Sequence, residues 1–413
     1  MAGVARVTFN PLTAKRILLG VCGSIACYKV ADLASQLRQA GAEVDVILTE
    51  SAARFVSVLT FQSVTGRPVY TDADLWGGQG HVLHIRLGAE ADLMLIAPAT
   101  ANTLAKLAHG QADNLLTITA LALRGPLLAA PAMDGGMYAH PATRANLDTL
   151  RRRGVTIIEP ASGHLASGQQ GEGRLVEPDE LFNRLRLACA VNGPLAGRHV
   201  VVSAGGTQEA IDPVRLITNR SSGKQGFAVA QAALDLGARV TLIAGATAVP
   251  PPFGAEVVSA RSAAAMHEAV LSATDEADAL VMAAAVADFR PSHPAGQKLK
   301  KQAGPPAIDL EPTVDILAAV ADRRVQSGHP RAVIGFAAES RDLLDNARLK
   351  LASKKLDLIV ANDISADDAG FEGDTNRVTL LFADGRVEPL PILDKPAVAA
   401  RLVQELVTLL GNN

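Results

Sequence analysis

The chain of 413 residues has few aromatic residues, few cysteines and no long apolar run. Aromatic residues make up 3% and hydrophobic residues 48%, so Ala, Val, Leu and Ile must build the core. The three cysteines, Cys22, Cys27 and Cys189, have neither CxxC nor metal-ligand spacing, which argues against a disulfide framework or a zinc module. Because no apolar run approaches the roughly 18 residues of a membrane span and no signal-peptide core is present, we expect a soluble cytoplasmic protein.

The charge is nearly balanced, with a net charge of -3 and a pI near 6.3. This balance gives no electrostatic basis for binding nucleic acid or a membrane, so we expect small-molecule partners. At 413 residues the chain exceeds one ordinary domain. Two domains are therefore predicted, each large enough to bury its own core.

The stretch from Ala91 to Asp134 predicts an open parallel sheet. A buried strand at Leu93–Ile96 leads into the turn Pro98-Ala99-Thr100 and a helix, and a second strand at Leu127–Ala130 leads into the turn PAMD. Both turns follow the carboxyl end of a strand. In a doubly wound sheet this edge binds ligands, because loops and helix amino termini converge there.

The segments before this stretch contribute to the same edge. A strand at Arg16–Val21 precedes Gly23 and Ser24, and a strand at Val44–Leu48 precedes Thr49. Gly23 allows close approach of an anion and Ser24 can cap a helix, which fits a phosphate-sized site. An ordinary strand-to-helix turn fits equally well, because no GxGxxG is present.

Two segments of the first half read as loops. The residues between Thr60 and Gly88 are irregular and carry Trp76, His81 and His84. A long loop in a compact domain is often functional, although each histidine alone is more simply a structural residue. The segment from Gly163 to Gly173 has four glycines and predicts a flap that closes over a ligand.

The strand-helix-strand pattern restarts after residue 198. A strand at His199–Ser203, a helix at Gly226–Leu236 and a strand at Arg239–Ile243 repeat the order of the first half, and Ala279–Ala285 is predicted as a further central strand. The fold class is therefore α/β, with two Rossmann-like doubly wound domains. We assign residues 1–190 to the first domain, 191–198 to a linker and 199–413 to the second domain.

Polar loops of the second half fit a nucleotide site. Gly223-Lys224 does not form a Walker A loop, because Gln225 follows and the earlier glycine is missing. Asp288 precedes a lysine cluster at 298, 300 and 301, and a carboxylate near lysines suits a magnesium triphosphate. A helix with Lys350, Lys354 and Lys355 reads more simply as a solvated lysine face.

Ordered motifs along nearly the whole chain resemble the bifunctional coenzyme A biosynthesis family, in which phosphopantothenoylcysteine decarboxylase is fused to phosphopantothenate-cysteine ligase. These motifs are GSIACYK, HIRLGAEADL, APATANTLAKLAHGQADNLLT, PAM, GEGR, DPVR, ITNRSSGKQGFA, AAAVADFR, KLKK, GFAAE and LDLIVAND. The family pattern AGPT is AGGT in this chain, which keeps a tight turn.

The resemblance implies that the first half is a flavodoxin-like flavoprotein that binds FMN. FMN there oxidises the cysteine moiety so that the carboxylate can leave as CO2, and then returns the hydride. His84 matches the catalytic histidine, whereas His81 does not. The residues that match the FMN site are Gly23, Ser24, Thr49, Pro98, Ala99 and Thr100.

Two positions depart from the family pattern. The substrate-binding Asn of PAMN is Asp134, and the proton-donating Cys of the flap is Ser167. An ionised Asp134 would repel the substrate carboxylate, so Asp134 must be protonated, paired with a cation or used differently. Ser167 is a weaker acid than cysteine and suits positioning of water or a hydroxyl relay.

For the second half, the resemblance implies attack of the phosphopantothenate carboxylate on CTP, giving an acyl-cytidylate that cysteine then captures. Asn219 matches the residue that stabilises this intermediate, Lys298 the lysine that supports its formation, and Arg215 and Asn219 match substrate-binding residues. Asp288 is the candidate Mg2+ ligand. The positions that match nucleotide contacts are Met282, Ala283, Ala284, Asp288, Lys298, Thr313, Val314, Asp315, Ile316, Phe336, Lys350 and Lys354.

Two alternatives were weighed. A nicotinamide oxidoreductase is disfavoured, because neither half has GxGxxG and Thr49 and Gly245 stand where an acidic residue is expected. An active ligase with a flavin-binding, non-catalytic regulatory domain stays open. The resemblance also implies a homo-oligomer, with trimers of flavin domains and dimers of ligase domains, for which a dodecamer is one arrangement.

Overall fold

The computed structural model describes residues 9–76, 82–168, 170–247, 249–300, 307–339, 342–363 and 373–411. The chain divides into two compact units, one of residues Asn10–Cys189 and one that begins at Ala190. His81 and Lys301 lie outside the described residues. No helix in these ranges is long and apolar enough to cross a lipid bilayer.

The first unit alternates strands and helices. Its strands are β1 (Arg16–Val21), β2 (Glu43–Leu48), β3 (Val69–Tyr70), β4 (Leu93–Ala99), β5 (Leu127–Pro131), β6 (Thr156–Ile157), β7 (Ala161–His164) and β8 (Gln170–Arg174). Its helices are α1 (Cys27–Gln39), α2 (Val58–Thr65), α3 (Leu83–Glu90), α4 (Ala101–His109), α5 (Leu115–Ala122), α6 (Gly135–Ala139), α7 (Pro141–Arg152) and α8 (Pro178–Ala190).

A parallel sheet of six strands forms the centre of this unit, in the order β3-β2-β1-β4-β5-β6. This strand order is the Rossmann order 3-2-1-4-5-6 and not the flavodoxin order 2-1-3-4-5. The order in which successive strands are added changes direction between β1 and β4. Successive residues of β1 face opposite sides of the sheet. Leu19 packs into one core with Leu33 of α1, whereas Leu18 packs into the other with Leu104 of α4.

The second unit repeats this plan. Its strands are β9 (His199–Ala204), β10 (Gln208–Ala210), β11 (Leu216–Thr218), β12 (Arg239–Ala244), β13 (Glu256–Ser259), β14 (Ala279–Met282), β15 (Phe289–Pro291), β16 (Leu310–Pro312), β17 (Ala332–Glu339), β18 (Leu358–Asp363), β19 (Thr375–Asn376), β20 (Val378–Phe382), β21 (Val387–Pro389) and β22 (Leu393–Asp394). Its helices are α9 (Lys224–Asp235), α10 (Ala263–Thr274), α11 (Ile316–Ser327), α12 (Leu343–Ser353) and α13 (Lys395–Gly411).

The large sheet of the second unit has the order β13-β12-β9-β14-β17-β18-β20-β21. Its first six strands are parallel and again follow the Rossmann order, with the reversal between β9 and β14. Strands β20 and β21 add an antiparallel hairpin at the edge. The predicted α/β class with two doubly wound domains is confirmed.

Two local predictions were wrong. The residues between Thr60 and Gly88 are not one long loop, because most of α2 and α3 lie within them. The side chain of Ser57 caps α2 and Gly66 ends it in a left-handed conformation with φ of 65°. The strand predicted over Ala279–Ala285 ends at Met282, and the residues that follow line a cavity.

Candidate functional sites

The first candidate site lies at the reversal point of the first sheet, where β1, β2 and β4 end. Gly23 follows β1 and lies against the turn after β2, because a Cβ there would approach the Cβ of Ser51 to 2.4 Å. The Ala97-Pro98 peptide bond is cis. At the start of α1, the N-H groups of Ala26 and Cys27 donate to the side chain and the carbonyl of Ser24, so Ser24 closes the turn that leads from β1 into the helix.

Three predicted hydroxyl residues stabilise the loops of this crevice. Ser24 Oγ accepts from the Ala26 N-H at 3.3 Å, and Thr49 Oγ1 accepts from the Ala52 N-H at 3.2 Å. Thr100 caps α4 through the Thr103 N-H at 3.3 Å. The structure thus places Gly23, Ser24, Thr49 and the turn from Pro98 to Thr100 at one sheet edge. This arrangement fits a phosphorylated aromatic cofactor, whereas the pattern at Gly23 and Ser24 alone fitted a phosphate site and an ordinary strand-to-helix turn equally well.

The thiol of Cys22, at the end of β1, contacts the loop that begins α4. Its thiol is buried, and burial raises its pKa to about 11 although hydrogen bonds to Thr103 and Thr100 oppose the rise. Cys27 Sγ donates to the carbonyl of Cys22 at 3.1 Å. These contacts tie the end of β1 to the start of α4, so the two thiols stabilise the crevice.

His84 lies on the first turn of α3. Its ring nitrogen Nδ1 is buried and has no hydrogen-bond partner among the described residues. An orphaned buried nitrogen is costly, and a bound ligand can supply the missing partner. Its free nitrogen makes His84 a suitable proton-transfer group.

Asp134 and Ser167 are hydrogen-bonded to each other. Asp134 caps α6, with Oδ1 accepting from the Gly136 N-H at 3.0 Å, while Ser167 Oγ donates to Oδ2 at 2.8 Å. The Ser167 and Gly136 bonds hold the pKa of Asp134 below its usual value. The partners of Asp134 are a hydroxyl and a backbone N-H and not a cation, so of the open interpretations this geometry favours an ionised Asp134 that is used differently.

The predicted flap is an antiparallel hairpin of β7 and β8. At its base the Met133 N-H donates to the carbonyl of Gly173 at 3.0 Å, and a Cβ at residue 173 would come within 2.2 Å of the Met133 carbonyl oxygen. Ser167 lies near its tip. The hairpin is therefore attached to the segment 133–134 at its base and by the Ser167–Asp134 bond at its tip.

The second candidate site is a cavity of about 650 Å3 at the reversal point of the second sheet. Its walls contain residues that follow β14, residues from the α9 and α11 amino termini, and residues of β17 and α12. The structure brings together here all but two of the residues predicted for the second half. They are Asn219, Met282, Ala283, Ala284, Asp288, Thr313, Val314, Asp315, Ile316, Phe336, Lys350 and Lys354.

Cationic side chains exceed carboxylates around this cavity. Arg220, Lys224, Lys350, Lys354 and Lys395 line it, against the carboxylates of Asp288 and Asp315. An excess of positive charge in a concave site favours a polyanion such as a nucleoside triphosphate.

The two lysines of α12 are held in place by specific contacts. Lys350 Nζ donates to the carbonyl of Phe336 at 2.9 Å. Lys354 pairs with Asp315, the residue that caps α11 through the Ala318 N-H. Burial alone would raise the pKa of Asp315, but the Lys354 contact and the cap bond lower it. Both lysines therefore belong to the cavity, and the interpretation as a solvated lysine face was wrong for them.

Asn219 and Asp288 both line the cavity near the segment that follows β14. Asn219 Nδ2 donates to the carbonyl of Val286 at 3.0 Å, which leaves its amide oxygen to face other groups. Asp288 is exposed, and its backbone carbonyl accepts from the Thr313 N-H at 2.9 Å. The described residues contain no cluster of three metal-ligating side chains. A Mg2+ held by Asp288 and by phosphate oxygens needs no such cluster.

Arg215 and Lys298 do not line the cavity. Arg215 is bonded through Nε to Asp212 at 2.9 Å and through Nη2 to the carbonyl of Leu299 at 2.6 Å. Lys298 is exposed on the neighbouring segment. These two predicted residues are thus associated with each other rather than with the cavity wall.

The polar cavity residues that were not predicted as site residues include Lys224, Gln225, Asn376 and Lys395. Gln225 Nε2 donates to the carbonyl of Lys395 at 3.3 Å, and Asn376 Nδ2 donates to Gln225 Oε1 at 2.8 Å. This chain fixes the orientation of Asn376, whose buried Oδ1 has no partner within the described ranges. The only sequence signal for these residues was Lys224, which lies just before the predicted helix at Gly226–Leu236. A cation is unfavourable there because the amino end of a helix dipole is positive.

Comparison with known families agrees with the division of the chain. Residues 8–187 match the family described as Flavoprotein. Residues 195–410 match the family DFP, described as DNA/pantothenate metabolism flavoprotein C-terminal domain.

Individual relatives are similar over almost the full length. The chain is 48% identical over 401 residues to the coenzyme A biosynthesis bifunctional protein CoaBC of Bacillus subtilis, covering 96% of this chain and 98% of the relative. It is 48% identical over 409 residues to the protein of the same name from Mycobacterium tuberculosis, covering 96% and 97%. A crystal structure of the C-terminal domain of a CoaBC protein aligns with 54% of this chain and 100% of its own, at 37% identity and a TM-score of 0.46.

Proposed function

The chain belongs to the family of coenzyme A biosynthesis bifunctional proteins, and from its two sites we propose how it performs the two reactions of that family. It is an enzyme that joins cysteine to 4'-phosphopantothenate and decarboxylates the 4'-phosphopantothenoylcysteine to 4'-phosphopantetheine. The ligase acts in the second unit and the decarboxylase in the first.

For the ligase, we propose CTP with Mg2+ as the co-substrate. The observation that carries this proposal is the cavity that joins Asn219, Asp288, Lys350 and Lys354 under an excess of positive charge. Lys350 and Lys354 would contact the nucleotide, and Asp288 would hold a Mg2+ together with phosphate oxygens.

The ligation proceeds in two displacements. A carboxylate oxygen of 4'-phosphopantothenate forms a bond to the α-phosphorus of CTP, and pyrophosphate leaves with the electron pair. The amine of cysteine then bonds to the acyl carbon, CMP leaves, and a proton passes from nitrogen to solvent. Asn219 would donate to the acyl-cytidylate, and Lys298 would stabilise the charge that develops on the phosphate.

For the decarboxylase, we propose FMN in the crevice formed by Gly23, Ser24, Thr49 and the turn from Pro98 to Thr100. Bound FMN supplies the two-electron oxidation and reduction that make loss of CO2 possible. His84 exchanges a proton with the substrate through its unpartnered ring nitrogen.

Asp134 and Ser167 take a different part from the Asn and Cys of the family pattern. Both oxygens of Asp134 are engaged within the protein, so the substrate carboxylate binds other donors. The hydroxyl proton of Ser167 is directed at Asp134, so Ser167 positions the flap and does not act as the acid. We place both reactions in the cytoplasm, where CTP and reduced cysteine are available, and we expect a homo-oligomer of trimers and dimers.

The nucleotide assignment is tested by measuring ligation with CTP, ATP, GTP and UTP at equal concentration. We expect CTP to give the highest kcat/KM, with CMP and pyrophosphate formed in equal amounts. A higher kcat/KM for ATP with AMP as product would overturn the CTP assignment but leave the ligase intact. Purified protein should also carry the absorption spectrum of bound FMN, and a colourless protein that cannot be reconstituted would overturn the flavin site.

A further inference from the structure

Leu299 is held at both of its backbone polar groups by the turn between β10 and β11. Its N-H donates to Asp212 Oδ2 at 3.1 Å, and its carbonyl accepts from Arg215 Nη2 at 2.6 Å. A second backbone bond, from the Ala295 N-H to the carbonyl of Ile211 at 2.9 Å, joins the same two segments. The segment around Leu299 is therefore fixed to this turn.

Asp212 is the centre of the contact. It is only 3% exposed, and its Oδ1 accepts from the N-H groups of Val214 and Arg215, both at 2.8 Å. Its Oδ2 accepts from Arg215 Nε at 2.9 Å as well as from Leu299. Burial alone would raise its pKa, but these hydrogen bonds lower the pKa to about 2. A buried carboxylate with four donors defines the geometry of both segments.

Lys298 depends on this contact for its position. Its ammonium makes no ion pair or hydrogen bond with any described residue, so only its backbone determines where it lies. The N-H group of the peptide bond between Lys298 and Leu299 donates its hydrogen bond to Asp212. On the other side, β11 leads from Arg215 directly to Asn219 at the cavity. The turn therefore sets the distance between Lys298 and Asn219.

We propose that Asp212 is a positioning residue for the ligase, which holds the Lys298–Leu299 peptide and thereby presents Lys298 to the reacting phosphate. The role of Lys298 in this inference rests on the proposed ligase mechanism, whereas the contact itself does not. Asp212 touches neither substrate nor nucleotide in this account, so its effect must pass through Lys298.

Asp212→Asn tests the proposal. Asparagine keeps the shape but replaces one acceptor oxygen with an NH2 group, which faces N-H donors and breaks bonds on that side. We expect acyl-cytidylate formation to slow by about 10- to 100-fold, because misplacement by 1 Å of a positioned group costs up to this much, with CTP binding changed less than about 2-fold. Asp212→Asn added to Lys298→Gln should slow the reaction little further, whereas a merely structural role would give multiplied losses.

Limited proteolysis gives a readout that does not depend on activity. Trypsin cuts after lysine, and the Lys298–Leu299 bond is the bond held by Asp212. We expect this bond to resist trypsin in the native protein and to be cut at least about 10-fold faster in Asp212→Asn, with unfolding temperature measured alongside. Arg215→Gln, which removes the bond to the Leu299 carbonyl, should expose the same site if Asp212→Asn fails to fold.

Glu311→Gln is the matched control. Glu311 pairs with Arg290 across β15 and β16, the two strands between which the segment around Lys298 lies, and no hydrogen bond or ion pair joins Glu311 to Asp212. It should change neither the trypsin pattern nor the ligase rate. Unchanged cleavage after Lys298 in Asp212→Asn would overturn the proposal. So would an Asp212→Asn substitution that slows acyl-cytidylate formation by the same factor in the wild-type and the Lys298→Gln backgrounds. A native protein that forms no acyl-cytidylate would instead overturn the proposed function, and the proteolysis would still report on the contact.

Discussion

Ser167 Oγ lies 2.8 Å from Asp134 Oδ2 and donates a hydrogen bond to it, although the two residues are 33 positions apart. They are also the two positions of the first unit at which the chain departs from the family pattern. The departures are therefore coupled, because the hydroxyl of one satisfies the charge introduced by the other. This coupling argues for a changed arrangement of the flap rather than for a lost site.

Asp134→Asn should strengthen binding of 4'-phosphopantothenoylcysteine. The substitution removes a negative charge near the substrate carboxylate and keeps an acceptor for Ser167 or Gly136. We expect KM to fall by about 3- to 10-fold at low salt and the difference to shrink at high ionic strength, because the site is exposed and screened. Steady-state release of CO2 measures this change.

Asp148→Asn is the control for that prediction, since Asp148 is an exposed carboxylate on α7 that pairs with Arg151 at 2.8 Å. It should leave KM unchanged. Because the pKa of Asp134 is lowered in the folded protein, the group stays ionised above its ordinary value near 4, and its effect on KM should not vary between about pH 6 and 8. A rise of KM in Asp134→Asn would contradict the assigned repulsion.

His84→Asn should slow CO2 release by about 10^2- to 10^4-fold, the usual contribution of a positioned acid or base. The ligase reaction of the same protein and the FMN absorption spectrum should be unchanged. His109→Asn is the matched control, because His109 lies in the last turn of α4 and is exposed. An equal decrease in the rate of CO2 release in both variants would contradict a specific proton-transfer role for His84.

Lys350→Gln should raise KM for CTP by about 10-fold, because a charge-assisted contact to the nucleotide is lost. Lys355→Gln controls for general loss of charge, since Lys355 follows the same helix but does not line the cavity. The two are compared by initial rates of pyrophosphate release over a range of CTP concentrations. Similar KM values for both variants would contradict the placement of Lys350.

The thiols should be inert in the folded protein. Burial raises the pKa of Cys22 and of Cys189 to about 11, and it also raises that of Cys27. At pH 8 only about one Cys22 thiol in a thousand is then ionised, and the thiolate is the reactive form. Alkylation by iodoacetamide should be at least about 100-fold slower than in urea, as mass spectrometry would measure. Rapid labelling of Cys22 at pH 8 would contradict its burial.

The sheets could be predicted because parallel strands buried on both faces read as continuous apolar runs. Strands such as Arg16–Val21 and His199–Ala204 stand out in this way, each followed by a glycine or serine turn. The helix Leu83–Glu90 was missed because glycines precede it and its buried face comprises only Leu83, Leu87 and Gly88. Short helices with few buried residues give a weak periodic signal.

The cavity could be predicted in part, because residues after neighbouring parallel strands meet at one edge. Met282 is the last residue of β14, and Phe336 of β17 follows the last residue pair between these two strands. Asn376 of β19 and Lys395 at the start of α13 line the same cavity, and no sequence motif marks them. The bond between Arg215 and Leu299 joins residues 84 positions apart, and sequence spacing cannot reveal which partner a surface arginine selects.

A time course by mass spectrometry tests whether one chain performs both reactions. The purified protein is incubated with 4'-phosphopantothenate, cysteine, CTP and Mg2+, and every intermediate is followed. We expect transient 4'-phosphopantothenoylcysteine, then 4'-phosphopantetheine with one CO2 and one CMP for each molecule. A reaction that stops at 4'-phosphopantothenoylcysteine would contradict this expectation, and would mark the first unit as a flavin-binding domain that does not turn over.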